Sequence, residues 1–399
     1  MNTIQQIAYA KKFTDTYFSF SEDQKALREA ACLKLQFSEC FLPPEKDELL
    51  MGKYDHPCIG FGMQEAGMGF FLNEEIYQQL YKNHPEMKAE LDVLREKWLP
   101  ETGRQQLICK TPAHILREIP NDHFANESNI GFWLCRMSST HLDFDKLLQL
   151  GIPGLRRQVM EYLSASFDEE KQTFYRGPLA CLDAICEVAD ACAAKAECSN
   201  AIHGKEIARN LRNITHDRPK TFWEAVQLMY LYALMSGTYN YGRMDEYLGD
   251  FLERDLQDHV LTREQAKDIL TPLWKLMIHR QTTWDARVFV GGKGRRNERA
   301  ANEVALLAIE VTGVVKDVLP QFSLRFYSGQ DPRLLDLAYQ VIGSGCVYPI
   351  LYNDDVNIPS VQKAFHVSRK RRNSIFHLGA GSIFFITAQL ERRVILLTY

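Results

Sequence analysis

The run QFSLRFYSGQDPRLLDLAYQVIGSGCVYPILYND, residues 321–354, decides how the rest of the chain is read. Its opening alternates Phe322, Leu324 and Phe326 against Ser323, Arg325 and Tyr327, the two-residue period of a strand with one apolar side. Its close, VYPILYN (347–353), is again short, β-branched and aromatic. Between them, residues 332–344 carry apolar side chains at helical spacing. Upstream, ARVFVGG (286–292) and a helical pattern at 297–316 repeat the alternation. Strands joined by helical crossovers imply a helix-rich α/β fold, a sheet or barrel wrapped in helices.

Working outward, helices are expected at 22–36, 73–98, 145–165, 178–212, 222–236, 244–258, 263–279 and 360–366 as well. Three starts carry a hydroxyl residue followed three positions later by Glu or Gln: Ser21–Gln24, Thr221–Glu224 and Thr262–Gln265. Such pairs satisfy the free amides of a first turn reciprocally. No repeat or linker interrupts the chain before its last thirty residues or so, where RKRR (369–372) stacks four positive charges.

Of the 399 residues, 46% are hydrophobic and 25% charged, enough to bury a large core. The formal net charge of -4 gives no reason to expect nucleic acid as partner. The first twenty residues lack a leader pattern and no apolar run reaches bilayer length, so no membrane span and a cytoplasmic location are expected. Ten cysteines suit a reducing compartment. Cys181, Cys186, Cys192 and Cys198 are too far apart for paired zinc ligands, and Cys186 and Cys192 recur at helical spacing on one side with Leu182, Ile185 and Ala189, which points to packing cysteines. No metal site is expected.

GGKGRRN (291–297) has neither the spacing nor the Lys-Ser/Thr ending of a nucleotide loop and reads as a turn between strand and helix. HExxH and GxSxG are both absent, which removes support for ordinary zinc or serine hydrolase chemistry. In YGRMDEYLGDFLERD (241–255), Arg243 and Asp245 straddle one residue at a helix entrance, the place for a structural ion pair.

Taken together, DRPKTFWEAVQLMYLYALMSG (217–237), YGRMDEYLGDFLERD, THLDFDKLLQLGIPGL (140–155) and the segment 319–368 resemble the amino-terminal half of a glycyl radical enzyme of the pyruvate formate-lyase type. The resemblance runs in one order through most of residues 10–369. It implies the first half of a ten-stranded barrel surrounded by helices, and a lyase, dehydratase or formate acetyltransferase-like activity on a small organic substrate. In that family a separate radical-SAM activating enzyme places a radical on a glycine near the carboxyl terminus. The radical passes to a cysteine at the tip of a central loop, whose thiyl abstracts hydrogen from the substrate in a closed, oxygen-free cavity. Intact members imply a homodimer. By the same resemblance Arg243, Asp245, Arg325, Asn353 and Asp354 are family-matching architectural positions, and Arg136 and His141 are candidates for lining the pocket.

The family's Gly-Cys-x-Glu is missing after NDDVNIPSVQKAFHVS (353–368). Cys346 is the last cysteine, precedes Asn353–Asp354, has no glutamate after it, and reads as a packed residue near a strand start. Shifting the codon frame from Arg369 onward, the degenerate code permits EEAEQYxPFGCGEYFFYHRSV followed by GTPS, the family's own continuation. The thiyl cysteine then falls across Gly379 and Ala380. One cysteine rather than two adjacent ones favours lyase or dehydratase chemistry over pyruvate cleavage. The expectation is a pyruvate formate-lyase-type domain over 1–369 and an out-of-frame tail over 370–399, truncated and inactive alone, with no catalytic residue assigned and no bound cofactor. The alternative is a non-catalytic binding or interaction protein derived from the family.

Overall fold

The computed structural model describes residues 2–61, 70–72, 74–101, 103–118, 142–280, 286–365, 375–378 and 382–385. The chain divides into two compact units: Met1–Leu42, Lys53–Ser138 and Arg156–Cys192 form the first, and Pro43–Gly52, Ser139–Leu155 and Ala193–Tyr399 the second.

The first unit begins with α1 (Thr3–Phe18) and α2 (Lys25–Cys40). α1 was not expected, although Asn2 and Gln5 form a full capping box and Ile7, Ala10, Phe13 and Tyr17 are buried along one face. A short antiparallel pair follows, β1 (Ile59–Phe61) with β2 (Phe70–Leu72). The single helix expected over 73–98 is two, α3 (Glu74–Asn83) and α4 (Lys88–Trp98), because Pro85 opens a separate 3-10 turn between them. Phe13 packs on Phe61 and Trp98, and the Trp98 indole donates to Thr14 Oγ1 at 2.8 Å.

The short helices α5 (Gly103–Lys110) and α6 (Ala113–Leu116) precede α7 (Phe144–Ala165), which is interrupted at Gly151. The helix expected over 178–212 also divides, into α8 (Glu169–Glu197) and α9 (Gly204–His216). Ser199 hydrogen-bonds back to Ala196 O in the break, the local bonding by which serine competes with helix continuation. Cys181 and Cys192 are buried on α8 and Cys186 is half-buried, its thiol pushed up to about 11 by burial. Cys198 corrects the packing expectation: it lies past the helix end and is exposed.

The second unit continues with α10 (Phe222–Ser236), buried on nearly every side, as an all-round apolar helix must be. Thr221 caps it through Glu224 N, but the expected capping box is only half made. The Glu224 carboxylate instead accepts from Asn213 and from Lys220 N, while the boxes at Ser21 and Thr262 are complete. Then come β3 (Asn240–Arg243), α11 (Met244–Gln257), α12 (Arg263–His279), β4 (Arg287–Gly291), α13 (Glu298–Val315), β5 (Gln321–Phe326), α14 (Pro332–Gly343), β6 (Ile350–Asn353) and α15 (Asp354–Phe365). The sheet runs β3-β4-β5-β6 with every pairing parallel. Successive strands joined by helices leave parallel pairing as the natural outcome. β3 was missed, being four residues beginning Asn-Tyr-Gly with no alternation to read. β6 starts at Ile350 rather than 347, since Pro349 has no N–H to give a ladder.

The tail read as out of frame holds two paired strands, β7 (Ile375–Leu378) and β8 (Ser382–Phe385). Both are short β-branched and aromatic runs flanking small residues, a local preference that needs no larger fold. No described helix is long and apolar enough to cross a membrane.

Candidate functional site

The sheet has two unlike faces. Alternation and register put Val288, Val290, Phe322, Leu324 and Leu351 on one, and Phe322 meets Trp274 of α12 there. The opposite face carries Arg287, Phe289, Gln321, Ser323, Arg325, Ile350 and Tyr352 in adjacent register. Arg287 Nε donates to Gln321 Oε1 at 3.0 Å across neighbouring strands. Parallel strands are ordinarily apolar on both sides because helices cover both. A polar second face is therefore the chemically exceptional surface of this sheet.

Arg287 and Gln321 open β4 and β5, while the buried charged groups gather at the carboxyl ends of the strands, where open α/β sheets place ligands. Arg325, near the end of β5, binds Asp354 in a fork, Nε to Oδ1 at 2.9 Å and Nη2 to Oδ2 at 2.8 Å, with both side chains 1% exposed. Asp354 Oδ2 also accepts from Lys293 N at 2.8 Å. At the end of β4, the Gly291 peptide is held from both sides: its N–H donates to Asp245 Oδ2 at 2.8 Å and its carbonyl accepts from Arg243 Nη2 at 3.0 Å. Arg295 donates to Gly292 O and to Asp245 Oδ2. Gly291 and Gly292 have φ of +77° and +82°. A Cβ on Gly291 would stand 2.3 Å from Arg325 O, and one on Gly292 2.6 Å from Asp354 Oδ2, so both close approach and backbone angle demand glycine.

Arg243, Arg295 and Arg325 face Asp245 and Asp354, and the Glu246 carboxylate, its Oε2 buried, also acts on Arg243. Burial pushes Arg243 down to about 10, with Arg325 beside it adding to the effect, and it remains charged at neutral pH. Asp245 Oδ1 and Arg295 Nη2 are buried with no hydrogen-bond partner among the described residues. Ser323 lies on the same polar face, 4% exposed. Outside this core, Lys293 pairs with Asp355, which also accepts from Ser328 N and Oγ at 2.7 and 2.8 Å. Those bonds hold Asp355 down at about 2. Arg296 links Glu246 and Asp145.

GGKGRRN thus occupies its amides and cations with carboxylates of its own chain. Arg243 and Asp245, expected as an ion pair, meet through Gly291, and the acid's guanidinium partner is Arg295, 50 residues on. Asn353 ends β6 and accepts from Asp355 N at 2.9 Å. Arg136, His141, Gly379 and Ala380 lie outside the described residues. Cys346 is buried, with its Sγ 3.7 Å from Thr312 O. Sequence reasoning missed Arg295, Ser323 and the Arg287–Gln321 pair. The signal was present in the polar half of the strand alternation, which reads as solvent-facing until the sheet is assembled.

The sequence model described as Pyruvate formate lyase-like matches residues 2–375. The chain belongs to the pyruvate formate lyase-like family. Within this family of glycyl radical lyases and dehydratases, it is 27% identical over 258 residues to the Escherichia coli K12 protein named "Probable dehydratase YbiW", covering 56% of this chain and 32% of that one. It is 24% identical over 399 residues to the isethionate sulfite-lyase of Oleidesulfovibrio alaskensis, covering 88% of this chain and 48% of the lyase. Among solved structures it resembles the glycerol-bound B12-independent glycerol dehydratase from Clostridium butyricum, with a TM-score of 0.71, 18% identity, and coverage of 94% of this chain and 52% of that chain. A glycyl radical enzyme from Archaeoglobus fulgidus matches with a TM-score of 0.69, 18% identity, and coverage of 93% of this chain and 52% of that one. The fold is therefore that of the glycyl radical enzyme barrels, and the chain spans about half the length of these solved relatives or less than half of the curated ones.

Proposed function

We propose that the chain supplies the substrate-facing first half of a glycyl radical lyase or dehydratase acting on a small hydroxylated or anionic organic molecule. The observation that carries this is the family match over residues 2–375, joined to a sheet whose second face is polar where a parallel sheet is ordinarily apolar. Relatives named for isethionate, glycerol and trans-4-hydroxy-L-proline suit an oxygen-rich substrate. Ser323 and the Arg287–Gln321 pair are the hydrogen-bonding groups offered to it.

The family's chemistry needs a glycine radical and a thiyl cysteine. Among the described residues no cysteine fits that role: Cys346, nearest the sheet in sequence, is buried and bonded to helix α13. No step is assigned to this chain beyond binding, orientation and exclusion of water. The radical-SAM activating enzyme, a homodimeric full-length assembly, a cytoplasmic setting and a frame break near Arg369 all belong to the proposal. DNA read in the shifted frame past that codon should run on to a radical glycine loop.

The test joins residues 1–368 to the uncovered half of the O. alaskensis lyase, activates the product anaerobically with a radical-SAM activating enzyme, and records the radical by electron paramagnetic resonance. A glycyl signal, and product from glycerol, 1,2-propanediol or isethionate that Ser323→Ala reduces tenfold or more, supports the reading. A signal with no product from any diol or sulfonate favours the non-catalytic alternative.

A further inference from the structure

The hairpin of β7 and β8 stands apart from the other sheets. The two strands pair with each other in the register Ile375–Phe385, Phe376–Phe384, His377–Ile383 and Leu378–Ser382, and no other described strand pairs with either. A lone two-stranded ribbon is marginal in water, and three or more strands with an apolar face are needed for a sheet that stands by itself. The hairpin is therefore short of strands, and the chain supplies none among the described residues.

Register and composition say what kind of strand is missing. Directly opposed residues share a face, so Ile375, Ile383 and Phe385 fall on one face of the ribbon and Phe376, Leu378 and Phe384 on the other. Both faces are apolar, where an antiparallel sheet with a wet side would alternate. From Asn373 to Leu390 the sequence holds no Asp, Glu, Lys, Arg or Pro. Such a run pairs best with another uncharged, β-branched and aromatic run, because a charged neighbour would lose its water without compensation. A second copy of the same hairpin offers uncharged strands of matching length.

The two edges are not equivalent. Only Asn373 and Ser374 separate β7 from the cations Arg369, Lys370, Arg371 and Arg372, and charge beside an edge strand discourages pairing. β8 has no such guard: the charged residues nearest to it along the chain are Arg372 before it and Glu391 after it. We propose that β8 is a self-association edge, paired antiparallel with β8 of a second copy across a two-fold axis. The product is one four-stranded sheet in the order β7-β8-β8-β7, an isologous contact that closes because each outer strand follows its own run of cations in sequence. β8 lies beyond residue 375, where the family match ends, so the inference does not draw on the catalytic reading.

The 399-residue chain is followed by sedimentation velocity over a concentration series, with amide exchange read at both strands. A dimer that slows exchange along β8, and that Ile383→Lys or Phe384→Lys weakens at least tenfold while Ile383→Val keeps it, supports the proposal. Added salt tightens that dimer, because it screens the like charges that two copies of RKRR bring together. Tyr339→Lys, at an exposed apolar site on α14, leaves it unchanged, and circular dichroism checks that each variant keeps its helices. A chain that stays monomeric, a dimer insensitive to the β8 variants or lost in Tyr339→Lys, and growth beyond the dimer each overturn it.

Discussion

Replacing Asp354 by alanine tests the strand-end network most directly. The substitution leaves the Arg325 guanidinium, 1% exposed, without the carboxylate that receives two of its N–H groups, and removes the acceptor of Lys293 N. Breaking a buried pair from one side costs about 3–5 kcal/mol, because the surviving charge stays desolvated. The lost Lys293 bond adds about 1 kcal/mol. Replacing both partners by apolar residues of similar volume removes the stranded charge, so Arg325→Met with Asp354→Leu should return to within about 2 kcal/mol of the parent. The assay is urea unfolding combined with amide exchange at β5 and β6, which reads the opening free energy of this unit locally. An Asp354→Ala cost below about 1 kcal/mol, or a double variant worse than the single one, would refute the reasoning.

Gly291→Ala should destabilise the same strands by on the order of 3 kcal/mol, since it forces a positive φ and a Cβ against Arg325 O; an effect under about 0.5 kcal/mol would mean the turn can relax. Asp355 should titrate near 2 by carboxyl NMR. Its contribution to stability is complete above the ordinary carboxylate value of 3.8 and is lost as pH falls through about 2; Lys293→Met should bring the titration back toward 3.8. Burial raises the pKa of Asp255, which accepts from Phe222 N at 2.6 Å at the start of α10. A raised folded value makes stability fall as pH rises through that window, so Asp255→Asn should remove that fall, whereas Asp255→Ala should cost about 1 kcal/mol through the lost cap. Among the described cysteines, Cys109 and Cys198 should react with a thiol reagent in the native chain, and Cys346 only on unfolding.

The elements legible in advance were those with strong local signals. α10, α12, α13 and α14 were found within a residue or two because capping residues and unbroken apolar periods mark them. α1 was missed despite its capping box, and β3 had no period to read. The expected 73–98 and 178–212 helices were each read through a break, at Pro85 and at Ser199, where the pattern resumes in phase on the far side. At the candidate site, Arg243, Asp245, Arg325 and Asp354 were named in advance, but Arg295 and the Gly291 peptide that tie them together were not.

The sequence by itself determined the helix-rich α/β class, the crossovers that make the sheet, and the family, because period, capping chemistry and motif order are properties of neighbouring residues along the chain. Tertiary structure decided that Asp245 answers Arg295 across 50 positions, that Gly291 is gripped on both sides, and that one sheet face is polar while the other packs on α12. Those contacts join residues far apart in sequence, and burial, by stripping away water, strengthens each attraction while making any charge left unpaired costly.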